Sequence, residues 1–369
     1  MRTEIFERSG RGISEFEKQY QAEISYLNQT CSYKEGMRYK YSPDNYDISN
    51  KRLVRMQSAG SAIGAILDIK YPNQILEFRL DFIDNSIDNQ LYITEVQTDD
   101  RGLPAVAIAR NARGQEAEFP GTVECFTNEI VRKTGKSLPK LLITYPLNEE
   151  FYYAGFNDFA TLCWATNQAE VIVAPREDVI LLLDNQVIIR QKLTGQKLFY
   201  CPDLSWDFSM QGLGVGVAIQ PFVTKELLLD IAISQNPEGK KFIPDTRLPD
   251  AEVIKNKEDW VLKPINGRWS KGILFGQRSS QDLWEKTLQS GNVVAQRFIP
   301  PQTNLYNVRI GTDKFRLWWM YERVEGYYVK NSDTNLWELA DVLTTCTEDI
   351  PVHGKRGCIM IPGKVRDVE

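Results

Sequence analysis

The stretch Trp260-Val-Leu-Lys-Pro-Ile-Asn-Gly-Arg-Trp-Ser-Lys-Gly-Ile-Leu-Phe-Gly276 decides how this chain is read. It reads as a strand over 260–263, a loop over 264–271, and a second strand over 273–277. The loop carries Gly267, Arg268, Ser270 and Lys271, with Gly272 behind them. Two strands joined by a short cationic, glycine-containing loop can fold over a polyphosphate. Small residues let backbone N–H groups approach the oxygens, and lysine adds a compact positive charge. An exposed basic hairpin has the same composition, so the flanking segments must discriminate between the two.

About twenty residues on stands Val293-Val-Ala-Gln-Arg-Phe-Ile-Pro-Pro301. A strand over 293–298 that stops at proline can offer backbone groups to the edge of a planar base. Val294, Phe298 and Ile299 would be its apolar walls. Upstream, 74–82 and 90–96 read as strands joined by the polar cluster 84–89, hence as a hairpin. Its arms hold Phe78-Arg79-Leu80-Asp81-Phe82 and Tyr92-Ile-Thr-Glu95-Val-Gln97. Glu95 and Gln97 are two apart on a strand and share a face, and Asp81 on the neighbouring arm can converge with them. Two carboxylates and an amide oxygen suit Mg²⁺, which keeps few protein ligands and fills the rest with phosphate oxygens. Arg79 shares the face of Asp81. It either binds a transferred phosphate or pairs with the acids.

Composition narrows the chemistry. The chain has 369 residues and a single histidine, His353. A two-histidine metal site is excluded, and a catalytic triad would have to use that one residue. Carboxylates, lysines and arginines are left to do any chemistry, which favours hard cations and phosphates. Lys plus Arg is 44 against Asp plus Glu of 49, a net charge of −5, which argues against a nucleic-acid partner. Six cysteines without CxxC spacing read as buried thiols rather than a zinc or disulfide framework. The N-terminal stretch lacks an apolar signal region, and no apolar run approaches 18 residues, so no membrane partner and a cytoplasmic location are expected. No P-loop motif is present. Gly212-Leu-Gly-Val-Gly-Val217 ends in valine where a dinucleotide fingerprint needs its third glycine.

Periodicity supplies the frame. Helices are expected over 12–30, 56–67, 151–167, 226–234 and 280–289. Strands are expected over 138–145 and 170–174, which with the helix between them form a parallel α/β unit that 187–191 and 197–200 extend. Further strands read at 307–311, 315–321 and 327–330. The fold class is α+β with a Rossmann-like part.

Taken in order, these motifs resemble the ATP-grasp superfamily in its circularly permuted form, the family that includes the synthetase domain of glutathionylspermidine synthetase and related carboxylate–amine ligases. Its permuted members carry RxDF…ExN ahead of the nucleotide loop. Arg79-Leu-Asp81-Phe82…Glu95-Val-Gln97 resembles that pattern, with Gln for Asn. Thr224-Lys225 resembles the start of a helix whose lysine contacts ATP. Lys263-Pro264 resembles the second nucleotide lysine, 267–272 the mobile phosphate loop, and Gln296-Arg-Phe-Ile299 the adenine hinge. Val308-Arg309, Tyr321-Glu-Arg323 and Lys330-Asn331 resemble residues near the γ-phosphate and acceptor.

The resemblance implies a circularly permuted ATP-grasp fold with a Rossmann-like (pre-ATP-grasp) subdomain. Residues 1–134 would hold the metal strands, 135–220 the Rossmann-like part, 221–305 the ATP-binding small lobe, and 306–369 the remaining grasp strands. It implies ATP and Mg²⁺ as cofactors, with Asp81, Glu95 and Gln97 on the metal. Lys225, Lys263, Ser270, Lys271, Gln296, Phe298 and Ile299 would hold the nucleotide, and Arg79, Arg309 and Arg323 would be catalytic. The implied reaction joins a small-molecule carboxylate to an amine (amino acid, polyamine or peptide-like) through an acylphosphate, with release of ADP and phosphate, in a homodimer. A phosphotransferase and a non-catalytic nucleotide-binding protein are the alternatives. Replacing Asp81 or Glu95 by alanine is expected to remove turnover and leave the fold intact.

Overall fold

A computed structural model of the chain describes residues 40–41, 46–72, 74–98, 121–146, 153–165, 169–182, 186–190, 196–207, 217–218, 225–233, 237–266, 272–309, 315–331, 333–347, 350 and 358–366. The expected helix over 12–30, residues 212–216 of the glycine-rich stretch and the loop residues 267–271 lie outside them.

In chain order, strands Lys40–Tyr41 (β1) and Tyr46–Ser49 (β2) lead into helix Asn50–Lys70 (α1). The hairpin Glu77–Asp84 (β3) and Leu91–Gln97 (β4) follows. Helix Thr122–Thr134 (α2), strand Lys140–Tyr145 (β5), helix Tyr153–Ala165 (α3) and strand Glu170–Pro175 (β6) come next. Then come Val179–Leu181 (β7), Val187–Arg190 (β8), Lys197–Tyr200 (β9), Leu204–Asp207 (β10) and Val217–Ala218 (β11). Helix Glu226–Ile233 (α4) precedes Thr246–Arg247 (β12), Trp260–Pro264 (β13), Leu274–Phe275 (β14), helix Gln281–Gln289 (α5) and Val293–Arg297 (β15). The last strands are Thr303–Arg309 (β16), Phe315–Asn331 (β17), Leu336–Thr347 (β18) and Ile359–Arg366 (β19).

These strands form four sheets, so the molecule is mixed α+β. The largest runs β1-β19-β18-β17-β3-β4, with β16 on β17 and β2 on β19. It joins strands from both ends of the sequence. A parallel sheet runs β11-β10-β5-β6, as the strand–helix–strand spacing requires. A small sheet runs β12-β15-β13-β14.

The expected extension of the parallel sheet by 187–191 and 197–200 is corrected. Those residues form a separate antiparallel sheet, β7-β8-β9. Their connections are too short for a parallel crossover, which needs a dozen residues or more. The separate strands expected over 315–321 and 327–330 are one, β17. The second half of the loop hairpin is shorter than expected, because β14 stops at Phe275 and a 3₁₀ turn over Gly276–Arg278 follows. None of the five described cysteines forms a disulfide; Cys163, Cys346 and Cys358 are buried as expected, but Cys201 is exposed.

The core explains the central sheet. Phe78, Leu80 and Phe82 alternate along β3 and pack with Val324 and Tyr328 of β17 beneath α1. Helix α4 closes the same core with Leu227, Leu228 and Ile231. The other sheet face meets α2, α3 and the parallel sheet through Tyr327, Leu343 and Met360. Helix α1 lies close on the sheet because it presents glycines there. A Cβ on Gly60 would overlap the ring of Tyr328, and one on Gly64 the indole of Trp337. Tyr328 cannot swing away, because its hydroxyl donates to the Met56 carbonyl at 2.8 Å. Gly60→Ala and Gly64→Ala are therefore each expected to destabilise by about 1–3 kcal/mol, despite the ~1 kcal/mol that alanine gains over glycine in a helix. A shift of the urea midpoint to lower concentration checks this, and an unchanged midpoint would refute the tight packing. Among the described residues, no helix is long and apolar enough to cross a membrane.

Candidate active site

The site is written into the strand alternation of β3. Its odd residues, Glu77, Arg79 and Asp81, face away from the α1 core, yet all are buried. A central strand with charges on its covered face is costly unless those charges are paired.

A β-bulge brings β4 into line. Asp81 stands opposite Glu95, but Phe82 stands opposite Ile93, so Thr94 is the extra residue. Without it, Glu95 would follow Ile93 into the core. With it, Leu91, Ile93 and Val96 are buried, while Glu95 and Gln97 share the face of Asp81 and Arg79. On the other side, Glu325 of β17 stands opposite Asp81 and Tyr327 opposite Arg79. Glu95, Asp81 and Glu325 thus form one cross-strand row of three carboxylates, and Gln97, Arg79 and Tyr327 form the next. Neighbours in such a row have Cβ atoms about 4.5–5.5 Å apart, and like charges there repel.

Cations hold the row together. Arg79 Nε donates to Asp81 Oδ1 at 2.7 Å and its NH1 lies 3.4 Å from Glu325 Oε2. Arg323 NH1 lies 3.3 Å from Asp81 Oδ2, and its NH2 is ion-paired with Glu325 Oε1. Lys225, just before α4, is ion-paired with Glu95. Its backbone N–H donates to Ile265 O at 3.1 Å, which ties the helix start to the end of β13. Lys263 of β13 donates to the Thr94 carbonyl and to Gln296 Oε1, both at 2.7 Å. The bulge residue thus supplies the acceptor that brings the small sheet to the large one. Gln296 Nε2 in turn donates to Thr246 Oγ1 at 3.2 Å.

Burial and charge set the protonation states. Burial raises the Asp81 pKa, with Glu325 and Glu95 adding to it against Arg323 and Arg79. Burial also works against ionised Glu95, but Lys225, with Lys263 and Arg323 adding to it, outweighs burial and holds the carboxyl at about 2. Glu325 is likewise held at about 2, because Arg79, Arg323 and the Thr345 hydroxyl outweigh its burial. Burial lowers Lys263 to about 8, with Glu95 opposing and Lys225 reinforcing the shift.

Between the two sheets is a cavity of about 90 Å³. Asp81, Glu95, Lys263 and Arg323 line its polar end, and Phe275, Phe298 and Ile299 its apolar end. Phe275 meets Phe298 edge-on, with centroids 6.0 Å apart. The structure therefore brings together Arg79, Asp81, Glu95, Gln97, Lys225, Lys263, Gln296, Phe298, Ile299 and Arg323.

Other expectations change. Val294 is fully buried but does not line the cavity. The hinge N–H groups of Arg297 and Phe298 already donate to the carbonyls of Asp245 and Asp259, both at 2.7 Å. Lys330 and Asn331 are corrected. Lys330 Nζ bonds Asp68 of α1 at 2.8 Å and lies over Trp337, because its place on β17 turns it to the α1 face. Asn331 shapes the β17–β18 turn, accepting from the N–H groups of Asp333 and Thr334 at 3.0 and 3.3 Å. Arg309 ends β16, opposite Phe315. Ser270 and Lys271 lie outside the described residues.

Glu325 was not among the expected residues. The signal for it was present, since Arg323-Val-Glu325 repeats the Arg79-Leu-Asp81 pattern on a second strand.

The donors here are of the hard oxygen type that Mg²⁺ takes. Among the described residues, no three His, Cys, Asp or Glu side chains are arranged around one metal position. Asp81 and Glu95 are nevertheless hard oxygen donors in register, with the Gln97 amide beside them (its Nε2 is 3.5 Å from Asp81 Oδ2). Two carboxylates facing each other call for a cation, and Lys225 and the arginines now supply it. Few protein ligands and room for phosphate are what Mg²⁺ sites show. The residues fit.

No family model and no curated protein matches the sequence. Among solved structures, the chain is similar to the apo form of a glutathione synthetase-like effector from Globodera pallida. That match has a TM-score of 0.55 and 10% sequence identity, over 97% of this chain and 99% of that one. The two chains share a fold. The likeness spans nearly the whole of both chains. A candidate gamma-glutamylcysteine synthetase from Methylobacillus flagellatus KT is also similar, with a TM-score of 0.42 and 8% identity over 80% of this chain and 82% of that one.

Proposed function

We propose that this chain is an ATP-dependent ligase of the circularly permuted ATP-grasp type, joining a small-molecule carboxylate to an amine with release of ADP and phosphate. One observation carries the reading. Two acids of the cross-strand row, Asp81 and Glu95, line one cavity with Lys263 and Arg323, Lys225 is ion-paired with Glu95 behind them, and the cavity's other end is apolar. A triphosphate beside a planar base needs that division of polar and apolar walls. The glutathione synthetase-like fold agrees with a peptide-forming ligase. The permutation accounts for the chain order, in which β3 and β4 precede the small sheet and yet join the large sheet through the pairing of β3 with β17, which follows it.

In this reading Phe298 and Ile299 hold the base, and Lys263 binds phosphate with the ammonium that Gln296 and Thr94 orient. Lys225 leaves Glu95 for a phosphate oxygen. Mg²⁺, held by Asp81, Glu95 and Gln97, would neutralise charge on the β- and γ-phosphates. Arg79 and Arg323 stabilise charge on the phosphoryl group as it passes to the substrate carboxylate, which the amine then attacks. Positioning and charge neutralisation are the main contributions such a site makes. Ser270 and Lys271 belong to the phosphate loop, and Arg309 to the acceptor side. Residues 221–305 are the ATP-binding lobe and 135–220 the Rossmann-like part. The partners are an acid and an amine of the amino-acid, polyamine or peptide class.

The test is ADP release with Mg²⁺ and ATP against pooled amino acids, polyamines and small peptides, with products read by mass spectrometry. An amide plus ADP and phosphate is the expected result. A stable phosphoester would make the chain a phosphotransferase, and nucleotide binding without turnover across the panel would make it a non-catalytic binder.

A further inference from the structure

We infer that Glu325 is the positioning residue that holds Arg79 and Arg323 side by side at the transferring phosphoryl group. The inference rests on the nucleotide reading above and extends it to a residue outside the RxDF…ExN pattern.

The geometry is a closed ring of alternating charge. Arg79 touches Asp81 and Glu325, and Arg323 touches the same two acids. Both guanidinium groups are buried, and buried charges need partners. Asp81 cannot serve both arginines once its oxygens turn to a metal ion. Glu325 can, because it is not exposed to that demand. Its side chain is only 1% accessible. Its two oxygens receive Arg79, Arg323, the Thr345 hydroxyl at 2.5 Å and the Tyr327 hydroxyl at 2.9 Å. Four donors match the acceptor sites of one carboxylate, so no site is left over for a ligand. It also sits on β17, an inner strand between β3 and β18, where a supporting group is held rigidly. Two arginines on adjacent strands would repel and splay without it.

The experiment measures ADP affinity with Mg²⁺, alone and with aluminium fluoride, which stands in for the phosphoryl group in flight. In the unaltered chain the fluoride should tighten ADP binding by at least about 100-fold, as transition-state mimics do. In Glu325→Gln, ADP alone should bind as before and the gain should fall below about tenfold, because a neutral amide no longer pins two cations. A general loss of structure would weaken ADP itself, so the two effects separate. Thr345→Val and Tyr327→Phe each remove one hydroxyl from Glu325 and keep its charge. They should cut the gain about 3- to 10-fold, and they serve where Glu325→Gln fails to fold. A Glu325→Gln chain that keeps the full gain would overturn the inference alone, as would a full gain in both hydroxyl variants. An unaltered chain that binds no ADP would overturn the nucleotide reading and the inference with it.

Discussion

Asp81→Asn is expected to cut ADP-forming turnover by about 10²–10³-fold or more, the scale seen when one preorganised electrostatic group is lost. Asparagine keeps the volume but not the charge that Mg²⁺ and both arginines require. The change reaches the fold as well. Asp81 is 1% accessible and is paired with Arg79 and Arg323. Removing one member of a buried ion cluster costs about 3–5 kcal/mol, because the partner charges stay behind. The sequence-based expectation of an intact fold therefore does not hold for this residue. Glu95 differs. Its side chain is 23% accessible and its partner Lys225 stands just before α4, so Glu95→Gln should lose comparable activity with a smaller loss of stability. ADP release and thermal midpoints on both variants check this. An Asp81→Asn chain with full turnover would remove Asp81 from the metal position.

Local patterns made much of this legible. Alternation in Phe78–Phe82 marked β3, and the i, i+2 spacing of Glu95 and Gln97 gave them one face. The bulge at Thr94 was not legible, because a bulge depends on how a strand pairs rather than on its own residues. It nevertheless decides that the shared face is that of Asp81. Glu325 stayed hidden for a related reason. Gly326 divides Phe315–Asn331 into two apparent strands, and only pairing with β3, more than 200 residues earlier, places Glu325 opposite Asp81. The same long-range pairing creates β18 and β19, which the sequence reading did not assign. Lys330 was misplaced because its position along β17 sets its face, and that register is also fixed by distant partners. Short motifs thus named most of the groups on β3, β4 and β13, and non-local pairing supplied the group that links them.

Lys263→Met is expected to weaken nucleotide binding by roughly 10- to 150-fold, the equivalent of the ~1.5–3 kcal/mol typical of a hydrogen bond to a charged group. The pH dependence makes the test specific. Burial lowers Lys263 to about 8. Below that pH the side chain is an ammonium and attracts phosphate. Above it the proton is lost before binding, so affinity should fall as pH rises from about 8 by up to tenfold per unit. In Lys263→Met that fall should vanish, leaving a weak and flatter profile from pH 7 to 9.5. Stability moves in the opposite direction. The unfolded lysine keeps its proton up to about 10.5, so between the two values the unfolded state binds more protons. Lys263 then contributes stability that rises with pH. Titrating the affinity of a fluorescent ADP analogue and the thermal midpoint together separates the two trends. Parallel pH profiles for the unaltered chain and the methionine variant would show that the phosphate-binding cation lies elsewhere, and would leave Gln296 and Thr94 orienting a lysine of purely structural use.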